Sequence, residues 1–160
     1  TADSADLLVF IRDSTNNIEY GYLTSKNFVA CFLKGTLIST PKGKIRIEKL
    51  KTGDLVFTLE KKIIKIKNVR RQFTENYFEL KTSLGITKVT GEHPYMMFNG
   101  SFKPVKKLKV GDKLKTPKGS AIVLSITKHR QVNEIFNLSV EKPNVFIANG
   151  IFTHNKSSPS

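Results

Sequence analysis

Lys49-Leu50-Lys51-Thr52-Gly53-Asp54 recurs as Lys107-Leu108-Lys109-Val110-Gly111-Asp112, a shift of 58 residues. Each copy ends in a Gly-Asp turn signal. The correspondence runs on. Arg71-Gln72 and Glu75 match Arg130-Gln131 and Glu134 at a shift of 59, and Phe78 and Leu80 match Phe136 and Leu138 at 58 again, with one inserted residue accounting for the difference. Two copies are too few for a solenoid. They predict two related β-units about a pseudo-twofold axis, an arrangement that sets the start and the end of the chain side by side at a shared centre.

Around the repeat the chain reads as almost entirely β. The segments 55–59, 63–66, 77–80, 86–89, 121–126 and 135–140 are short and rich in β-branched or aromatic residues. Turn signals such as Pro41-Lys42-Gly43, Ser83-Leu84-Gly85, Asn99-Gly100 and Pro117-Lys118-Gly119 separate them. Val145-Phe146-Ile147-Ala148, Asn149-Gly150 and Ile151-Phe152-Thr153 read as a hairpin, since Asn-Gly accepts the positive φ angles of a two-residue turn. After residue 30 no segment sustains a 3.6-residue apolar period, and at most one turn of helix fits around Glu48-Lys49-Leu50. Asp6–Arg12 and Ile18–Leu23 read as a further hairpin, with a helix over 5–11 as the alternative.

Composition bounds the function. At 160 residues, one domain with short flanks is expected. The longest clean apolar run, Leu7 to Ile11, falls far short of a membrane span, and no basic stretch leads into a long apolar one, so neither a membrane partner nor a signal peptide is expected in this stretch. A single cysteine rules out an internal disulfide. The net charge is +14, yet residues 1–30 carry only Arg12 and Lys26 against Asp3, Asp6, Asp13 and Glu19. All of the basic excess therefore lies from Cys31 onward. One reading is a nucleic-acid-binding β-domain; the other is a solvated lysine-rich sheet. The lysines are scattered through strand alternations such as Lys62-Ile63-Ile64-Lys65-Ile66-Lys67 and do not cluster with arginines and aromatics, which favours the second reading and no specific nucleic acid.

The reactive residues fall at the borders of the basic region. Cys31 opens Cys31-Phe32-Leu33-Lys34-Gly35-Thr36, and His154-Asn155 closes the last apolar segment. A thiol can attack the carbonyl of the residue before it, and an asparagine amide can attack its own backbone carbonyl. A chain with both groups at the two edges of one domain has the means to cut itself. Between them lies Thr90-Gly91-Glu92-His93. Singly, each residue has a plain structural reading: a small buried thiol, a histidine capping a turn before proline, a solvated strand end. Three histidines, His93, His129 and His154, and one cysteine show no short ligand spacing, so neither a metal nor a cofactor is expected.

Taken together, these segments resemble the Hint (hedgehog/intein) domain family, in particular a minimal intein or bacterial intein-like domain. Cys31-Phe32-Leu33-Lys34-Gly35-Thr36-Leu37-Ile38 with Gly43 and 47–56 is similar to the N-terminal splicing block. Val89-Thr90-Gly91-Glu92-His93-Pro94 resembles the Thr-x-x-His block, and 136–140 with 145–155 the two C-terminal blocks. The resemblance implies an all-β horseshoe fold with pseudo-twofold symmetry. It also implies a self-processing domain over residues 31–155, with 1–30 and 156–160 as flanks of a host protein, acting in cis as a monomer. On this pattern Cys31 takes the Ala30 acyl group as a thioester, Thr90 and His93 assist, and Asn155 cyclises beside His154 to release Lys156. Two departures stand out. Splicing members carry Cys, Ser or Thr where this chain has Lys156, and the acidic residue and histidine of the penultimate blocks are Asn137 and Asn144 here. These changes imply cleavage at both borders, with splicing minor or slow.

Overall fold

The computed structural model describes residues 30–155 in full, together with the backbone of two strands, β1 (Leu7–Arg12) and β2 (Ile18–Leu23), which pair antiparallel as the expected hairpin. From residue 30 the strands are β3 (Phe32–Leu33), β4 (Leu37–Thr40), β5 (Gly43–Arg46), β6 (Leu55–Phe57), β7 (Ile63–Thr74), β8 (Tyr77–Thr82), β9 (Gly85–Val89) and β10 (Pro94–Met96). They continue with β11 (Phe102–Pro104), β12 (Lys113–Thr116), β13 (Gly119–His129), β14 (Asn133–Val140), β15 (Val145–Ala148) and β16 (Ile151–His154). The described residues contain no α-helix. The turn expected near Glu48 is a short 3-10 segment, Ile47–Lys49.

The repeat is reproduced bond for bond. A matching 3-10 turn, Val105–Lys107, stands 58 residues after Ile47–Lys49. Asp54 Oδ2 accepts the Lys51 N–H at 2.8 Å, and Asp112 Oδ2 the Lys109 N–H at 2.9 Å. The Gly53 N–H donates to the Ile66 carbonyl and the Gly111 N–H to that of Val123, both at 2.8 Å. Gly53 and Gly111 both have φ +94°, a left-handed conformation that only glycine adopts without strain, which explains the Gly-Asp pair in each copy. Leu50 and Leu108 cap equivalent parts of the core.

The strand order shows how the two units are joined. One sheet runs β12-β13-β8-β9-β3-β14-β7-β6, the other β11-β10-β16-β15-β4-β5. The repeat equates β6, β7 and β14 of the first sheet with β12, β13 and β8, but in crossed order. β8 follows β7 in the chain and yet pairs with β13, while β14 follows β13 and pairs with β7. Each unit lends its third strand to the other. The strands left between them, β3 and β9, occupy the middle of the sheet; Phe32, Val89 and Phe136 are buried there, while Ile86 and Lys88 leave the other face of β9 exposed.

The second sheet is tied to the first through Asn149. At φ +49°, followed by Gly150 at +84°, Asn149 forms the expected hairpin turn between β15 and β16. Its Oδ1 accepts the Leu37 N–H at 2.9 Å and its Nδ2 donates to Thr87 Oγ1 at 2.9 Å, bridging β4 and β9.

If the two units are equivalent, Leu50→Ala and Leu108→Ala each lower stability by a similar amount, about 2–5 kcal/mol. Urea unfolding followed by fluorescence or circular dichroism measures both; a neutral effect at one site with a large one at the other would break the equivalence.

Candidate functional site

Cys31 stands one residue ahead of β3, in the middle of the eight-stranded sheet, and is completely buried. Its backbone N–H donates to Thr90 Oγ1 at 3.0 Å, while the Thr90 N–H donates to the Cys31 carbonyl at 2.9 Å. Thr90 follows β9, so the neighbouring strand holds the Ala30–Cys31 peptide from both ends of the same residue. The side chains then divide. Cys31 clusters with Leu33, Tyr77 and Ile135, whereas Phe32, pointing the other way, packs its ring 4.2 Å from His93. Thiol and imidazole therefore flank the peptide from opposite faces of the strand.

Burial dominates the chemistry of both groups. The Cys31 thiol is pushed up to about 12 by desolvation, against the opposing pulls of the Gln72 amide and the positive charge of Arg70. His93 is enclosed by Phe32, Tyr95 and Phe146, and its pKa is driven down to about 3 by desolvation, so the ring rests neutral. The Ala30 carbonyl lies close enough to raise the proton affinity of the ring, and His154 lies close enough to lower it. Neither imidazole nitrogen nonetheless closes a hydrogen bond of regular geometry with the described residues. A buried, unsatisfied imidazole facing the carbonyl of the residue before a cysteine is costly, and such groups call for a reason beyond packing.

The C-terminal border is anchored to the same strand as the first. Asn155 is buried, and its Oδ1 accepts the Val140 N–H at 2.5 Å, which fixes the orientation of the carboxamide. Its own N–H donates to the Asn144 carbonyl at 2.7 Å, and Asn144 Nδ2 donates to the Val140 carbonyl at 3.0 Å. Asn144 thus braces the Asn155 backbone from a left-handed φ of +65°, a conformation that asparagine tolerates well. His154 is half-buried, its pKa lowered by desolvation, with the Phe102 ring edge-on at 4.8 Å. Cys31 falls opposite Asn137 of β14, one step beyond the Phe136–Phe32 pair, and three residues further along β14 Val140 holds Asn155, so the two borders lie about 10 Å apart along that strand.

Of the residues singled out in the sequence, Cys31, Thr90, His93 and Ala30 meet at one border and His154, Asn155 and Asn144 at the other. Asn137 lies opposite Arg70 on β7. One step beyond the pairs Phe136–Phe32, Phe32–Val89 and Phe78–Val89, the register sets Arg70, Asn137, Cys31, Thr90, Tyr77 and His129 in a single row across the sheet. Lys156 is outside the described residues. His129 takes no part in either border: it stacks on Tyr77 at 5.1 Å and pairs with Glu79 at 2.8 Å. No group of three or more His, Cys, Asp or Glu that could hold a metal ion exists among the described residues. The residue that sequence reasoning missed is Gln72, whose Nε2 lies 3.6 Å from the Cys31 sulfur. It had been visible only as a repeat match to Gln131.

Residues 30–84 match the family model for the Hint domain. Solved structures match over a longer stretch. The bacterial intein-like domain from Clostridium thermocellum superposes with a TM-score of 0.74 at 24% identity, over 79% of this chain and 99% of that one. The described residues from 30 to 155 have the Hint-domain fold. A DnaB intein from Synechocystis sp. PCC 6803 gives a TM-score of 0.73 at 23% identity, over 81% of this chain and all of that one. The gp41-1 intein gives 0.69 at 25% identity, over 79% and 98%. Comparison with curated proteins finds no match.

The state of His93 makes this domain sensitive to acid. The folded pKa of about 3 lies below the ordinary 6.5, so between those values only the unfolded chain takes up the proton. Stability is intact above pH 6.5 and falls as pH drops toward 3. In a Cys31→Ala background, His93→Gln should remove on the order of 3 kcal/mol of the stability lost between about pH 7 and pH 4. Urea midpoints at both pH values test this; an unchanged acid slope would contradict a buried neutral imidazole.

Proposed function

We propose that this Hint domain, spanning residues 31–155, cleaves the chain at Ala30–Cys31 and at Asn155–Lys156, in cis, once per molecule. The observation that carries the reading is the Ala30–Cys31 peptide itself. It is buried, clamped by Thr90, flanked by its own thiol on one face and faced by an unsatisfied imidazole on the other.

The chemistry follows from those positions. The Cys31 thiol gives its proton to solvent, and attack of the thiolate on the Ala30 carbonyl carbon sets the rate; the C–S bond forms as the C–N bond breaks. His93, neutral at rest and on the opposite face from the sulfur, relays a proton from solvent to the freed Cys31 nitrogen, so one proton leaves and one returns. With so low a pKa its protonated form is a strong acid toward the departing nitrogen, and acid–base help of this kind contributes roughly 10²–10⁴-fold. Thr90 holds the peptide while the carbonyl becomes tetrahedral. At the other border Asn155 Nδ2 attacks the Asn155 carbonyl carbon, closing a succinimide as the bond to Lys156 breaks. The Val140 N–H on Oδ1 orients that attack, and His154 polarises the carbonyl.

Lys156 decides the fate of the thioester. An ammonium is a poor nucleophile at neutral pH, so water or an added thiol takes the acyl group, and ligation of the two flanks is minor or slow.

Incubating the intact chain with and without dithiothreitol and weighing the products tests the reading. Cys31→Ala abolishes thiol-stimulated release of the fragment ending at Ala30 and leaves release at Lys156 running. In the unaltered chain the first reaction speeds up about tenfold per pH unit between about pH 6.5 and 8.5, because the thiol stays far below its pKa throughout. Thiol-stimulated cleavage surviving in Cys31→Ala would refute the assignment.

A second expectation concerns the missing acceptor. Lys156→Cys shifts products from separate fragments toward a chain in which Ala30 is joined to the introduced residue. If both cleavages stay fast and intact-mass analysis finds no joined product, the borders are too far apart for acyl transfer.

A further inference from the structure

We propose that Gln72 is the hydrogen-bond donor that stabilises the Cys31 thiolate during acyl transfer, with Arg70 beside it supplying the positive charge; this rests on the self-cleavage proposed above. The register makes the assignment. Gln72 pairs with Ile135, and Ile135 with Leu33, so across β7, β14 and β3 these three residues share one row on the face that carries the thiol. The next row on that face is Arg70, Asn137 and Cys31. From it Cys31 sends its sulfur toward Gln72, whose Nε2 donates to it at 3.6 Å. Gln72 is half-buried and lies 41 residues from its partner in the chain.

A thiol at the centre of a sheet needs such a partner. Its sulfur is a weak acceptor while protonated and a strong one once ionised, so a fixed amide N–H binds the charged form better and lowers the barrier to forming it. The neighbours leave few alternatives. Asn137, next in the row, is a neutral carboxamide and cannot serve as a base. Thr90 is occupied with the Cys31 backbone. From β8 comes Tyr77, with His129 stacked on it and Glu79 bound to His129. On β14 the carboxylate of Glu134 is held by Arg71 at 3.1 Å, and the Arg71 guanidinium lies over the Phe136 ring, on the opposite face of the sheet. His93 faces the Ala30 carbonyl from that opposite side as well. Arg70 is thus the charge whose field reaches the sulfur. During the step the thiol proton is lost to solvent, the negative charge sits briefly on Sγ under the Gln72 N–H and is discharged as the C–S bond forms, and the departing amide nitrogen takes its proton from the opposite face, through His93.

The test is Gln72→Leu, read in two ways. N-terminal cleavage should slow about ten- to hundredfold at neutral pH, recover as pH is raised by one to two units, and leave cleavage at Lys156 unchanged. Iodoacetamide alkylation of Cys31, followed by intact mass on the unprocessed chain, should slow by a comparable factor at each pH. A substitution that merely loosened the packing would expose the thiol and speed alkylation. Gln72→Glu, which sets a negative charge against the sulfur, should be slower than Gln72→Leu in both assays. Alkylation that is unchanged or faster in Gln72→Leu, or equal slowing of both cleavages, would overturn the role. Slower alkylation in Gln72→Leu, in a chain whose unaltered form never releases the fragment ending at Ala30, would support the hydrogen bond and refute the proposed self-cleavage instead.

Discussion

The exchange of hydrogen bonds between Cys31 and Thr90 is the constraint on which the rest of the site depends. It fastens a two-residue strand into the middle of an eight-stranded sheet, where neither isolated strand would persist. That position exists only because each β-unit gives its third strand to the other: β8 completes the second unit, β14 completes the first, and β3 with β9 fills the gap between them. Once β3 is central, Cys31 and Ala30 are buried, Phe32 must pack toward His93, and the thiol must face the other side. The strand that receives Phe32 also holds Asn155 through Val140, so the same sheet sets both borders.

Burial at that centre makes the site quiescent by default. Low polarity pushes the thiol up to about 12 and the imidazole down to about 3, so both rest uncharged at neutral pH. An ordinary cysteine–histidine pair would exchange a proton and become reactive at once. Here the charges can form only transiently, and the groups that favour them, Gln72 and Arg70 at the sulfur and the Ala30 carbonyl at the ring, come from different strands that meet only in the finished fold. On the proposed function, a chain that must fold before it acts on its own backbone gains from this coupling of reactivity to assembly.

The sequence was most informative where chemistry is written in residue type. Cys31, His93 and Asn155 stood out as candidates because few residues attack or protonate a peptide bond, and the Gly-Asp turns were legible because a left-handed φ restricts the choice to glycine. The hairpin at Asn149-Gly150 was legible for the same reason. Strands β3, β10 and β11 were not, since two or three residues show no alternation. Most of the second half of β7 escaped as well, because Lys67-Asn68 and Arg70-Arg71-Gln72 are polar on both faces, although Asn68 through Gln72 pair with β14 residue by residue and only Lys67 is skipped, at a register shift. The 58-residue echo announced two units but not that they trade strands, for a repeat reports likeness and not pairing. Gln72 was invisible as a site residue because its meaning lies entirely in a partner 41 positions away.

The central claim is that the buried Ala30–Cys31 peptide passes through a thioester on Cys31, and that intermediate can be captured. Hydroxylamine added to the Asn155→Ala chain, in which the second border is silent, should release the fragment 1–30 with a hydroxamate on the Ala30 carboxyl, seen by its mass. A fragment that ends at Ala30 only as the free acid, at a rate indifferent to hydroxylamine, would mean that water reaches this bond by another route and that Cys31 forms no acyl intermediate.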